Sequence, residues 1–162
     1  MSRGYFGVAC YRPKTTDNIG TLWRSAHIFG ASFLAVIGGR YHKQPSDTTA
    51  ATRHVPLLSF DDFAGFRSAM PTEALLIAVE LVPNARPLTR YTHAERAVYL
   101  LGPEDGSLPN DVVMACDSRI IIPGSFCLNL AVAGSIVLYD RVAKSARDHI
   151  AQVWPDDNAE VA

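Results

Sequence analysis

The most constraining feature of this chain is a rhythm. Short apolar runs at 5–11, 33–37, 55–58, 74–80, 97–101 and 119–122 alternate with segments whose apolar residues return at helical spacing. Runs of four to seven apolar residues suit strands buried on both faces, and intervening helices supply the crossovers that parallel strands need. The rhythm predicts an α/β fold with a mostly parallel sheet and helices on both faces. In the first helical segment Ile19, Leu22, Trp23, Ala26 and Phe29 form the stripe, with Asp17 or Asn18 as the expected N-cap and Gly30 as the stop. Further helices are expected at 61–69 and 109–116, and a last one at 128–149, where Leu128, Ala131, Val132, Ser135, Leu138, Tyr139 and Val142 share a face. The polar stretch 38–52 reads as a long loop with at most a short helix near 47–51, and 83–87 as a turn.

Length and composition narrow the possibilities. A chain of 162 residues, 48% of them hydrophobic, suits one domain over 1–150, followed by an acidic tail over 151–162. The charges nearly cancel, with 15 Lys+Arg against 16 Asp+Glu, so any nucleic-acid contact must be local or shared between subunits. Cys10, Cys116 and Cys127 stand far apart with no CxxC spacing, which points away from zinc and from a disulfide framework, so no metal is expected. The first residues hold no apolar leader and no run has membrane-spanning length. The expectation is a cytoplasmic protein without membrane contact.

Three segments combine glycine, proline and polar residues where α/β folds hold ligands, at the carboxyl ends of strands. The first runs from Thr16 to Arg24, where Arg24 follows Gly20 by one helical turn and could grip a phosphate. The second runs from Leu101 to Pro109, a sharp turn whose backbone groups could surround a small ligand. The third runs from Ile122 to Asn129 and leads into the last helix. Singly, each is an ordinary capped helix or tight turn. GxGxxG, phosphate-loop, nucleophile-elbow and metal motifs are all missing.

Taken together and in order, the three segments resemble the motifs of the SpoU/TrmH family of RNA methyltransferases within the SPOUT superfamily. Asn18-Ile19-Gly20 with Arg24 resembles motif one, and Leu101-Gly102-Pro103-Glu104 resembles motif two. Ile122-Pro123 with Leu128-Asn129-Leu130-Ala131-Val132-Ala133 and Val137-Leu138-Tyr139 resembles motif three. The likeness extends from Phe6 to Arg141. Cys127 stands where the family commonly has serine, Gly106 comes one place early, and the loop from Pro123 to Asn129 is short.

The resemblance implies a deep C-terminal trefoil knot, S-adenosylmethionine as cofactor, a homodimer and 2′-O-methylation of ribose in tRNA or rRNA, with no DNA substrate. It implies Arg24, Asn18, Glu104 and Asn129 as catalytic residues. Arg24 would clamp phosphate and help take the 2′-OH proton, Asn18 would position the ribose or Arg24, Glu104 would orient Arg24 or the motif-one loop, and Asn129 would hold the turn. Glu80, Leu81, Gly102, Ile122, Cys127 and Leu128 would line the cofactor pocket. Arg12, Lys14, Arg40, Lys43, Arg53 and His54, interleaved with Tyr11 and Tyr41, are candidate RNA contacts. The alternatives are a non-catalytic RNA-binding protein that kept the fold, and a base-nitrogen methyltransferase.

Overall fold

The computed structural model describes residues 4–39 and 51–145. Strands β1 (Phe6–Tyr11), β2 (Leu34–Ile37), β3 (Leu57–Phe60), β4 (Leu75–Val79), β5 (Arg86–Pro87), β6 (Ala97–Leu101) and β7 (Ser118–Ile121) form one sheet in the order β3-β2-β1-β6-β4-β7-β5. Every recorded pairing is parallel. Helices α1 (Thr16–Ile28), α2 (Ala51–His54), α3 (Phe63–Ala69), α4 (Asn110–Met114) and α5 (Leu130–Ser145) complete the described elements, with a 3-10 turn at Leu88–Arg90.

Strand alternation sorts the core into two layers, because successive side chains leave opposite faces. Phe6, Val8 and Cys10 of β1 with Ala97, Tyr99 and Leu101 of β6 face the layer that holds Ile19, Leu22 and Trp23 of α1 and Leu130, Val137 and Leu138 of α5. Ala9, Tyr11, Val98 and Leu100 face the layer holding Phe66 of α3 and Val112 and Val113 of α4. The expected covering of both faces is therefore present. Helices α1 and α5 pack face to face at Gly134, where an added Cβ would lie 2.9 Å from Leu101 Cδ1 and closer still to Leu22. The Ser25 and Ser135 hydroxyls bond across the same seam at 2.7 Å.

Several element limits differ from expectation for identifiable reasons. Neither Asp17 nor Asn18 caps α1: the helix begins at Thr16, and the cap residue Thr15 makes no side-chain cap bond. Gly30 does end it, with φ +77° and the amide of Ala31 returning to the carbonyl of Ala26, the 6→1 bond of a Schellman close. The third apolar run pairs two residues later than expected, because Ala51–His54 is helical and only Leu57–Phe60 joins β2. The expected turn at 83–87 holds a two-residue strand on the sheet edge, where Pro87 is tolerated because no ladder partner lies beyond it. Helix α5 starts at Leu130, which leaves Leu128 outside it. The loop residues Arg40, Tyr41 and Lys43, the short helix at 47–51 before Ala51, the end of the last helix and the tail 151–162 fall outside the described residues.

A buried polar cluster ties α5 to the sheet. Arg141, 6% exposed, donates to the carbonyls of Ala94 (2.6 Å) and Glu95 (2.8 Å) and to the Tyr99 hydroxyl (3.0 Å), with its guanidinium 4.5 Å from the Phe6 ring centre. His93 bridges Tyr99 Oη (2.5 Å) and Asp140 (2.8 Å), and Lys144 pairs with Asp140 at 2.8 Å. Burial outweighs the Asp140 contact and holds the His93 imidazole below its ordinary value. No described buried side-chain nitrogen or oxygen lacks a partner, which is what a low-dielectric core requires.

Candidate active site

Strands β6, β4 and β7 are neighbours, and an open cleft lies beyond their carboxyl ends. This is where open parallel sheets hold ligands, since loops diverge there and helix starts converge. The walls come from three loops. Val79, Glu80 and Leu81 follow β4, Leu101 to Glu104 and Gly106 follow β6, and Ile121, Ile122 and Phe126 to Leu128 follow β7, closed by Leu130 and Ala133 of α5. All six residues expected at the cofactor, namely Glu80, Leu81, Gly102, Ile122, Cys127 and Leu128, border this one cleft.

Glu80 shapes the floor. Its carboxylate accepts from the amides of Leu108 (2.8 Å) and Leu81 (2.9 Å), which fastens the loop after β6 to the end of β4. Gly102 passes close beneath: a Cβ there would meet Glu80 Oε2 at 3.2 Å and the Leu108 amide at 3.3 Å. The glycine thus permits a close approach that a side chain would crowd.

Three of the four expected catalytic residues form a hydrogen-bonded relay. Asn18 Nδ2 donates to Glu104 Oε1 at 2.9 Å, and Asn129 Nδ2 donates to Asn18 Oδ1 at 2.9 Å. Asn129 Oδ1 accepts from the amides of Ala131 (2.9 Å) and Val132 (3.3 Å), so Asn129 is the N-cap of α5 and binds its N2 and N3 amides. Glu104 also accepts from the amides of Lys14 (2.8 Å) and Thr15 (3.2 Å) and from the Thr15 hydroxyl (3.1 Å). Lys14 Nζ pairs with the adjacent Asp105.

The missing local cap of α1 is explained by this arrangement. A carboxylate from the loop after β6 holds Lys14 and Thr15, the residues leading into the helix, by charge-assisted bonds in place of a local Asx cap. Asn18 is thereby free to reach Asn129. Partial burial opposes ionisation of Glu104, yet the bonds from Asn18 and from the Lys14, Glu104 and Thr15 amides prevail and bring its carboxyl down to about 2.

Arg24 stands apart. It is exposed on α1, bonds to no described residue and does not border the cleft. Glu104 orients the motif-one loop and not Arg24, and Asn18 engages Glu104 and Asn129 and not Arg24. Of the expected RNA contacts, Tyr11 is buried in the sheet, so its ring is not available to RNA. Arg12 is exposed and lies over the Tyr11 ring at 5.4 Å. Arg53 and His54 are exposed, and His54 stacks on His27 with centres 4.7 Å apart. Cys127 is an exposed free thiol on the cleft, while Cys10 and Cys116 are buried. Phe126, Leu101, Leu130 and Ala133 also line the cleft; Leu101, Leu130 and Ala133 belong to the second and third motifs but carried no expected role, and the only signal at Phe126 was its place within the third segment.

Fold and site together define a class, the α/β proteins built like the SpoU methyltransferases, with a ligand cleft beyond neighbouring parallel strands. The solved structure of a protein studied for 2′-OH methylation of C/U34 on tRNA superposes with a TM-score of 0.77 at 27% identity, over 90% of this chain and 93% of that one. The SpoU methyltransferase AviRb of Streptomyces viridochromogenes, solved with AdoMet, gives 0.77 at 24% identity, over 90% of this chain and 62% of its own. The tRNA (cytidine(34)-2′-O)-methyltransferase of Ancylobacter novellus is 28% identical over 144 residues, 81% of this chain and 87% of that relative. The chain belongs to the SpoU rRNA methylase family, whose profile matches residues 5–139.

Proposed function

We propose that this chain is an AdoMet-dependent RNA ribose 2′-O-methyltransferase acting on tRNA, with the wobble nucleotide at position 34 as its target. The observation that carries the reading is the relay Glu104–Asn18–Asn129, which ties the first motif to the second and third, the two that border the cleft. The tRNA target rests on the relatives named for position 34. Among the described residues no helix is long and apolar enough to cross a membrane. The cytoplasm, where tRNA and AdoMet meet, is the proposed place of action.

The cleft suits AdoMet. Leu81, Ile122, Leu128 and Ala133 offer apolar contact for a ring system, and the carboxylates of Glu80 and Glu104 on its wall suit a sulfonium cation. Glu80, Leu81, Gly102, Ile122, Cys127 and Leu128 would hold it, and when bound it supplies an electrophilic methyl carbon. The family's trefoil knot belongs to the same reading, supported by the strand order β6-β4-β7, in which the chain passes beyond β4 before returning to α5 beside α1.

The protein's own residues must then present a ribose hydroxyl and take its proton. The relay fixes the starts of α1 and α5 relative to each other, so the groups on both helices meet the substrate without reorganisation. A guanidinium is a poor base on its own, so the part of Arg24 is to bind phosphate and, with an RNA phosphate oxygen, to draw off the hydroxyl proton. Because Arg24 lies outside its own cleft, a homodimer in which α1 faces the partner's cleft completes the site. Exposed Ile28, Val132 and Tyr139 on α1 and α5 supply apolar area for that contact. DNA, lacking the 2′ oxygen, is not a substrate.

The test is transfer of labelled methyl from AdoMet to total tRNA and rRNA by the wild type, Arg24→Ala and Asn129→Ala, with the product nucleoside identified by mass spectrometry. The expected result is a 2′-O-methylnucleoside in tRNA that Arg24→Ala reduces by about 100-fold or more. Transfer to a base nitrogen, or none despite bound AdoMet, would overturn the reading.

A further inference from the structure

Among the described residues Phe126 is the most exposed of the large hydrophobic side chains, at 87%, and it nevertheless borders the cleft. Leaving a whole phenyl ring in water forgoes burial worth roughly 1.5–3 kcal/mol, so a ring held at a cleft mouth is a ring available to a ligand. The deeper apolar contacts are made by others. Leu101 and Leu130 are buried, and Leu81 and Leu128, 44% and 46% exposed, form the inner jaws. Phe126 is the outermost member of this series. Its place is also set by the relay, since it lies three residues before Asn129, which is tied to Asn18 and to the start of α5. The aromatic is therefore attached to the part of the loop that the catalytic arrangement holds in position.

Substrate stereochemistry decides what reaches it. In a nucleotide the 2′ oxygen and the base are on adjacent ribose carbons, so any pose that brings the hydroxyl to the cleft brings the base to its rim. A base splayed out of a single-stranded loop exposes both faces, and proteins hold such bases by stacking them on aromatic rings. We propose that Phe126 is a substrate-positioning residue that stacks on the base of the nucleotide being methylated. The occupant is thus an unpaired nucleotide of RNA, and every base can be accepted because each has a π-face. The inference deepens the functional reading above and depends on it.

The experiment compares wild type, Phe126→Ala, Phe126→Leu and Phe126→Trp in steady-state methyl transfer to tRNA, with AdoMet affinity by calorimetry and subunit association by sedimentation measured on the same proteins. Stacking predicts that Phe126→Ala lowers kcat/KM for RNA by about 10- to 100-fold. Phe126→Leu, as apolar but not flat, is expected to stay low, and Phe126→Trp to recover at least wild-type activity. AdoMet affinity and subunit association should not change. A parallel loss of AdoMet affinity would place the ring against the cofactor, and dissociation of subunits would place it in a protein contact. Equal activity of Leu and wild type would reduce it to simple apolar cover, and unchanged activity of Ala would leave it no role. Each of these overturns the proposal. A wild type that transfers nothing to RNA would instead refute the functional reading itself.

Discussion

Replacing Glu104 with glutamine removes a charge and little volume, and the structure predicts both the size and the pH dependence of the loss. The carboxylate accepts from the Lys14 and Thr15 amides, the Thr15 hydroxyl and Asn18. Glutamine keeps one acceptor oxygen and turns an NH2 toward donors that have no other partner. Holding a carboxyl at about 2, against its ordinary 4.5, would be worth on the order of 3 kcal/mol in a shielded site. Solvent at the open cleft reduces this to about 1–2 kcal/mol. Because the folded-state value is the lower one, the stabilisation is complete above the unfolded-state value and fades as pH falls toward 2. Glu104→Gln should therefore be less stable than wild type by about 1–2 kcal/mol at pH 7 in urea unfolding, and roughly half or more of that gap should vanish by pH 3. A gap that stays constant from pH 7 to pH 3 would refute the reasoning, because it would mean that the charge of Glu104 contributes nothing to its hold on α1.

Two stability predictions follow from the packing of α5. Gly134→Ala should destabilise by about 1–3 kcal/mol in denaturant unfolding, because the added methyl collides with Leu22 and Leu101, outweighing the alanine's better helix propensity; a more stable variant would show that α1 and α5 separate at little cost. Arg141→Met should lower stability by roughly 2–4 kcal/mol, since it strands the carbonyls of Ala94 and Glu95 and the Tyr99 hydroxyl; Arg141→Lys should not restore it, because a single ammonium lacks the fork that reaches all three, and full thermal stability of the lysine variant by circular dichroism would contradict this.

What the sequence determined by itself is the set of properties that depend on neighbours along the chain. Continuous apolar runs alternating with period-3.6 apolarity announced parallel strands with helices on both faces, and the stops at Gly30 and Gly102-Pro103 marked where two of the elements end. The motifs marked which three turns carry the chemistry. Tertiary structure decided the rest. Asn18 bonds to a carboxylate 86 residues away, and Asn129 to an amide side chain 111 residues away, and no local pattern encodes such partners. The same distance hid what holds the start of α1, because Asp17 or Asn18 was the best local candidate while the carboxylate of Glu104 holds Lys14 and Thr15 just ahead of the helix. It also hid that Arg24 stands outside its own cleft, that Leu128 is released from α5 to wall it, and that Phe126 waits at its rim. Periodicity is short-ranged and survives in the sequence, whereas the competition among donors, acceptors and charges is settled only when distant turns are brought within hydrogen-bond reach.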